Sequence, residues 1–114
     1  FALLQDTSDA ASAVELCRGA ACVVHEATFE ESMHEDALAK GHSTSAEAAR
    51  FAAACGARRL VLTHFSARYN ASAGDAEDPL DPAEQLGDEA RRILGPGGPP
   101  VVVAKDFMVL RGDR

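Results

Sequence analysis

A chain of 114 residues has room for one domain at most, since domains usually run to about 100–150 residues. Hydrophobic residues at 46% and charged residues at 25% exclude a disordered or collagen-like chain. Eleven Lys and Arg against eighteen Asp and Glu leave a net charge of −7, which excludes phosphate-backbone binding by bulk charge, because that depends on counterion release by basic side chains. No apolar run approaches the ~18 residues of a membrane helix and no signal-peptide pattern opens the chain, so no membrane partner is expected. Phe1 in place of a start methionine implies a chain that begins partway into a longer polypeptide.

Residues 1–4 (Phe-Ala-Leu-Leu), 22–24 (Cys-Val-Val) and 60–62 (Leu-Val-Leu) are short apolar runs, each followed by polar residues. Such runs predict strands covered on both faces, as in a parallel sheet. Ser8 or Asp9 caps a predicted helix to about Leu16, with Arg18-Gly19 as its stop. The next connection carries helical stretches over 30–39 and 45–55, the second closed by Gly56. Ala48, Ala49, Ala52 and Ala53 lie on one narrow face of it, suited to close packing on a sheet. Residues 70–81 are polar, with Gly and Pro, and predict a surface loop. Asp81 and Pro82 open a helix to about Leu94, ended by Gly95-Pro-Gly-Gly-Pro-Pro. Residues 101–104 and 107–110 are the last strand candidates, a pair or one bent strand. Strands alternating with helices imply βαβ units with right-handed crossovers, an α/β fold.

Cys17, Cys22 and Cys55 form no Cys-x-x-Cys motif and are odd in number. They read as buried free thiols, which places the chain in an intracellular reducing compartment, whether cytoplasmic, nuclear or organellar. In open α/β sheets functional groups gather at the carboxyl ends of the strands. Asp6, His25, Glu26 and His64 fall there, with His42 in a loop at the same end. Carboxylates and imidazoles so placed make either a hydrogen-bond network or a metal and acid–base site. His34 lies in a charged, solvated stretch and reads as non-functional.

Three segments make a family resemblance specific: Val24-His25-Glu26-Ala27-Thr28-Phe29, Gly41-His42-Ser43-Thr44-Ser45, and residues 62–69, Leu-Thr-His-Phe-Ser-Ala-Arg-Tyr. In order and spacing they resemble the C-terminal half of ribonuclease Z, the tRNA 3′-processing endoribonuclease of the metallo-β-lactamase fold. The resemblance covers about residues 6–69, with a weaker echo over 101–108. It implies that residues 1–114 form the C-terminal portion of an αββα sandwich and that the active site holds two zinc ions. Asp6 matches the aspartate that bridges both ions, and His64 matches the last zinc-ligand histidine. Glu26 and His42 match the pair that assists proton transfer to the leaving ribose oxygen, chemistry suited to an imidazolium held by a carboxylate. Ser66 and Arg68 follow the ligand on a loop, where Arg68 either holds a phosphate in its guanidinium fork or forms a structural ion pair.

Two departures from the family pattern stand out. Gln5 occupies the position where the family has glycine before the bridging aspartate. The His-x-His-x-Asp-His run that supplies most zinc ligands is absent, which implies an N-terminal half elsewhere, in the same polypeptide or across a homodimer. The resemblance thus implies a zinc-dependent endonuclease acting on precursor tRNA, with this chain alone inactive. The rivals are a hydrolase of small phosphodiesters or sulfate esters on the same fold, and a non-catalytic scaffold half.

Overall fold

The computed structural model describes residues 1–70 and 81–112. Four strands, β1 (Ala2–Leu4), β2 (Val23–Glu26), β3 (Leu60–Thr63) and β4 (Val101–Val103), form one sheet in the order β1-β2-β3-β4. All neighbours are parallel, with Ala2, Val23, Leu60 and Val101 in one register row and Leu4, His25, Leu62 and Val103 in another. The expected α/β architecture is therefore present. Between the strands run helices α1 (His34–Ala39), α2 (Ser45–Cys55) and α3 (Glu84–Leu94). Of the loop predicted over 70–81, residues 71–80 lie outside the described residues.

Side chains alternate across a strand, so each row faces one side of the sheet. The two rows above join the core under α2 and α3. The intervening row, Leu3, Val24, Val61 and Val102, faces the other side; Leu3 is 55% exposed, while Val24 and Val102 are half-buried. That face is apolar and incompletely covered.

Helix α2 has a well-defined start and stop. Thr44 Oγ1 accepts the Glu47 amide at its N-cap, and Gly56 takes the left-handed conformation at φ 66°. The Ala57 amide then reaches the Ala52 carbonyl and the Gly56 amide the Ala53 carbonyl, a Schellman ending. Ala48, Ala49 and Ala52 are buried as expected, but Ala53 is exposed. The buried stripe continues instead through Phe51 and Cys55.

Three expectations are corrected. Over residues 8–16 only a 3₁₀ turn, Ala11–Ala13, forms, followed by further turns. Thr7 Oγ1 accepts the Asp9 amide and Asp9 Oδ1 the Ala11 amide, so side chains satisfy the backbone locally, while Leu16 at 91% exposure gives a helix nothing to bury. The stretch 30–39 begins as a 3₁₀ turn, Glu31–Met33, before α1. Residues 107–110 form no strand: a turn closed by the Met108 amide on the Lys105 carbonyl carries Phe107 at φ 62° and ends the extended chain after β4.

Helix α3 approaches β4 closely through Gly87. A Cβ built there would lie 2.6 Å from Val103 Cγ2 and 3.0 Å from Arg91 Nη1. Gly87→Ala should therefore destabilise the protein by about 1–3 kcal/mol through overpacking, despite alanine's better helix propensity. Denaturant unfolding reads this directly, and an unchanged or raised midpoint would mean that α3 is free to shift.

Candidate metal and acid–base site

Asp6 follows β1, Glu26 ends β2 and His64 follows β3, so three adjacent parallel strands deliver them to one sheet edge. Asp6 and His64 both occupy the left-handed region, at φ 52° and 59°. Such backbone in non-glycine residues is costly and clusters at functional sites. Gln5 does not share it, so the departure from glycine imposes no strain at that position. His42 arrives from the side. Helix α1 ends on a Schellman turn in which Gly41, at φ 74°, lets the His42 amide reach the Ala37 carbonyl at 2.8 Å. One nitrogen or oxygen from each of Asp6, Glu26, His42 and His64 lies within 4.8 Å of the others.

Glu26 is fully buried and saturated with donors. Its Oε1 accepts the Thr7 amide at 2.6 Å; its Oε2 accepts the Thr28 hydroxyl at 2.8 Å, the Ser43 amide at 3.0 Å and His42 Nδ1 at 3.1 Å. Burial pushes the carboxyl up, but the amides of Ser43 and Thr7, the Thr28 hydroxyl and the nearby His42 together outweigh it and hold the group below the ordinary carboxylate range. An ionised Glu26 fixes the proton of His42 on Nδ1 and leaves Nε2 for a reacting group. Its lone pairs are committed, so Glu26 orients His42 and is a poor metal ligand.

Asp6 and His64 fit a divalent ion. His64 Nε2 lies 3.7 Å from Asp6 Oδ1, close to the roughly 3.4 Å that separates two tetrahedral ligands with ~2.1 Å bonds. Carboxylate oxygen and imidazole nitrogen are both zinc donors. The Thr28 hydroxyl, 3.4 Å from His64 Nδ1, orients the ring so that Nε2 faces Asp6, the kind of support a ligating histidine would need. The rings of His42 and His64 sit 5.1 Å apart.

The other residues singled out in the sequence divide. His25 is not part of the cluster: alternation on β2 points it to the opposite face, where its ring packs 5.4 Å from Phe51 and Nδ1 donates to the Glu26 carbonyl. His34 pairs with Glu47 at 2.5 Å on the surface. Ser66 caps a 3₁₀ turn, Ala67–Tyr69, by accepting the Arg68 amide, and Arg68 stacks its guanidinium 5.8 Å from the Phe29 ring. The sequence reading missed Thr7, Thr28 and Ser43, which hold Glu26. Only Thr28 carried a signal, since it sits two residues from Glu26 and two-residue spacing keeps side chains on one face of an extended chain. Cys17 and Cys55 are buried and Cys22 half-buried, all as free thiols. No helix of the described residues is long and apolar enough to cross a membrane.

Two buried groups set the acid response. Desolvation holds the His25 imidazole below its ordinary value, against the opposing pull of the Glu26 carbonyl and charge. The unfolded chain then binds a proton first as pH drops below about 6.5, and stability is lost. Glu26, also depressed, adds a loss at lower pH, where the unfolded carboxylate protonates first. The unfolding midpoint should therefore fall on acidification from neutrality. In His25→Leu the part nearest pH 6 should flatten; an unchanged pH profile in that variant would remove His25 from the account.

No family model matches the chain. Among curated proteins, zinc phosphodiesterase ELAC protein 1 of Mus musculus is 43% identical over 97 residues, covering 85% of this chain and 26% of that protein. Ribonuclease Z of Synechococcus sp. (strain CC9605) is 42% identical over 103 residues, covering 90% and 29%. The chain carries a segment of the ribonuclease Z family. Human tRNase Z, short form (ELAC1), aligns with a TM-score of 0.62 at 33% identity, over 93% of this chain and 30% of that one. The metallo-β-lactamase fold protein YhfI from Bacillus subtilis aligns at 0.70 with 25% identity, over 93% and 37%. The metallo-β-lactamase fold expected from the sequence is thus present in part, and the chain spans between a quarter and a third of the length of these two curated relatives.

Proposed function

We propose that the chain supplies the C-terminal part of the active site of a zinc-dependent endoribonuclease that removes 3′ trailers from precursor tRNA. The convergence of Asp6, Glu26, His42 and His64 within 4.8 Å carries this reading. The relatives' names, ribonuclease Z and zinc phosphodiesterase, support the substrate and the metal. Asp6 and His64 would hold zinc, and the resemblance implies two ions in the complete site. Bound zinc supplies Lewis acidity at the scissile phosphate. His42 donates the Nε2 proton to the ribose 3′-oxygen as its bond to phosphorus breaks, while water supplies the hydroxyl that phosphorus gains. The products are a 3′-hydroxyl on the tRNA and a 5′-phosphate on the trailer. Glu26 stabilises the imidazolium before transfer. Ser66 and Arg68 face the substrate.

Residues 1–114 are then the C-terminal half of a metallo-β-lactamase-fold domain. The apolar row Leu3, Val24, Val61 and Val102 supports a second sheet packed against it. The remaining zinc ligands come from an N-terminal half in the same polypeptide or in a homodimer partner. The three free thiols support a reducing compartment.

The complete enzyme should cut precursor tRNA once, at the trailer, and lose that cut when zinc is chelated. Excess tRNA should also suppress its turnover of a small chromogenic phosphodiester. Diester turnover indifferent to tRNA would favour the small-substrate rival, and neither activity in the zinc-loaded protein would favour the scaffold.

A further inference from the structure

An RNA substrate is a polyanion and this chain carries −7, so bringing the two together requires local positive charge near the reacting bond. Four of the eleven basic side chains are engaged: Arg18, Arg50, Arg91 and Lys105 pair with Glu15, Glu31, Asp88 and Asp81. Lys40 and Arg68 are different. Both are exposed, and among the described residues neither has a carboxylate within ion-pair distance. Each is held against the same aromatic ring, with Lys40 Nζ 5.4 Å and Arg68 Cζ 5.8 Å from the centroid of Phe29. A ring face attracts a cation without neutralising it, so both charges stay available while their positions are restricted.

The placement ties both cations to the site. Phe29 is buried and pinned by the Ser45 amide on its carbonyl, and it follows Thr28, which touches Glu26 and His64. Lys40 caps the C-terminus of α1, two residues before His42 and on the same Schellman turn. Arg68 lies on the capped turn four residues after His64. The two loops that deliver the histidines therefore each bring one uncompensated cation. Arg68 offers a planar fork to two phosphate oxygens, and Lys40 a compact point charge.

We propose that Lys40 and Arg68, positioned by Phe29, form a two-cation clamp on the RNA phosphate backbone beside the scissile bond. This rests on the proposed nuclease function and adds Lys40, and the spacer role of Phe29, to it.

The test is the salt dependence of precursor-tRNA binding by the complete protein, read by fluorescence anisotropy, with cleavage assayed separately. Each neutralised phosphate contact contributes about 0.7–0.9 to the slope of log affinity against log salt. Lys40→Ala and Arg68→Ala should each lower the slope magnitude by about that amount, and the double variant by about twice as much. Their losses should fall on KM more than on kcat. Lys40→Arg should keep the slope, and Arg92→Ala, an exposed cation on α3, should leave it unchanged. A wild-type slope in the single and double variants would overturn the clamp even if cleavage is intact, and so would a fall in thermal stability with the slope unchanged. A lowered slope in a protein that does not cleave would uphold the clamp and remove the nuclease assignment.

Discussion

His42→Ala in the complete enzyme is expected to slow single-turnover cleavage by a factor on the order of 10²–10⁴, the size of a lost general acid. Zinc content and tRNA affinity should stay near normal, because the role proposed for His42 is at the leaving oxygen. The variant also leaves the fold intact around it: Glu26 keeps the Thr7 amide, the Ser43 amide and the Thr28 hydroxyl as donors. Glu26 is a harder residue to remove. Glu26→Ala strands the buried Ser43 amide, at a cost of about 1–3 kcal/mol, and the part-buried Thr7 amide, while Glu26→Gln turns a donor toward one of the two. Some loss of stability is therefore expected at Glu26 that is absent at His42. In the chemical step, however, the Glu26–His42 double variant should be little slower than the slower single, because the carboxylate acts through the imidazole. Additive losses with zinc retained would mean that the two do not work as a unit.

The pairing of Glu26 with His42 was legible only as a resemblance, and its physical basis lies in local geometry. Sixteen residues separate the two, and they meet because a Schellman turn at Gly41 folds the chain back and the Ser43 amide binds the carboxylate. The Ser43 amide leaves no mark in residue type, and Gly41 marks a helix end without saying what it brings together. Asp6 and His64 were easier to place, since apolar runs that end in polar residues mark strand ends, and parallel strands end on one edge. His25 shows the limit of that argument. It stands beside Glu26 in sequence, yet strand alternation sends it to the α2 side, where burial keeps it neutral.

The fold was legible where burial and caps agree. Helix α2 has both, with an alanine-rich buried face between Thr44 and Gly56, and its expected bounds were met. The stretch over 8–16 had a cap without a buried face, and Thr7 and Asp9 satisfied the backbone in turns instead. Over 107–110 apolar composition suggested a strand, but Phe107 and Val109 are exposed and the preceding turn directs the chain off the sheet. Composition alone carries no information about whether a strand has a neighbour to pair with.

His64→Ala should remove one metal equivalent from the complete enzyme and abolish cleavage, since a catalytic zinc rarely holds with fewer than three protein ligands. The ring carries little structural weight: it is 40% exposed, with Thr28 and Glu26 beside its Nδ1 and the His42 ring 5.1 Å away. Stability without metal should accordingly be near wild type, which separates ligand loss from misfolding. Thr28→Val provides a graded companion. It removes the hydroxyl that orients His64 Nδ1 and one donor to Glu26, so metal affinity should fall by about 10–100-fold, the usual effect of losing a ligand's supporting hydrogen bond. Raised zinc should restore metal to Thr28→Val but not a full complement to His64→Ala. Elemental analysis and a zinc titration of cleavage read both variants. Full zinc occupancy with unchanged cleavage in His64→Ala would show that the imidazole 3.7 Å from Asp6 is a neighbour of the metal site and not a part of it.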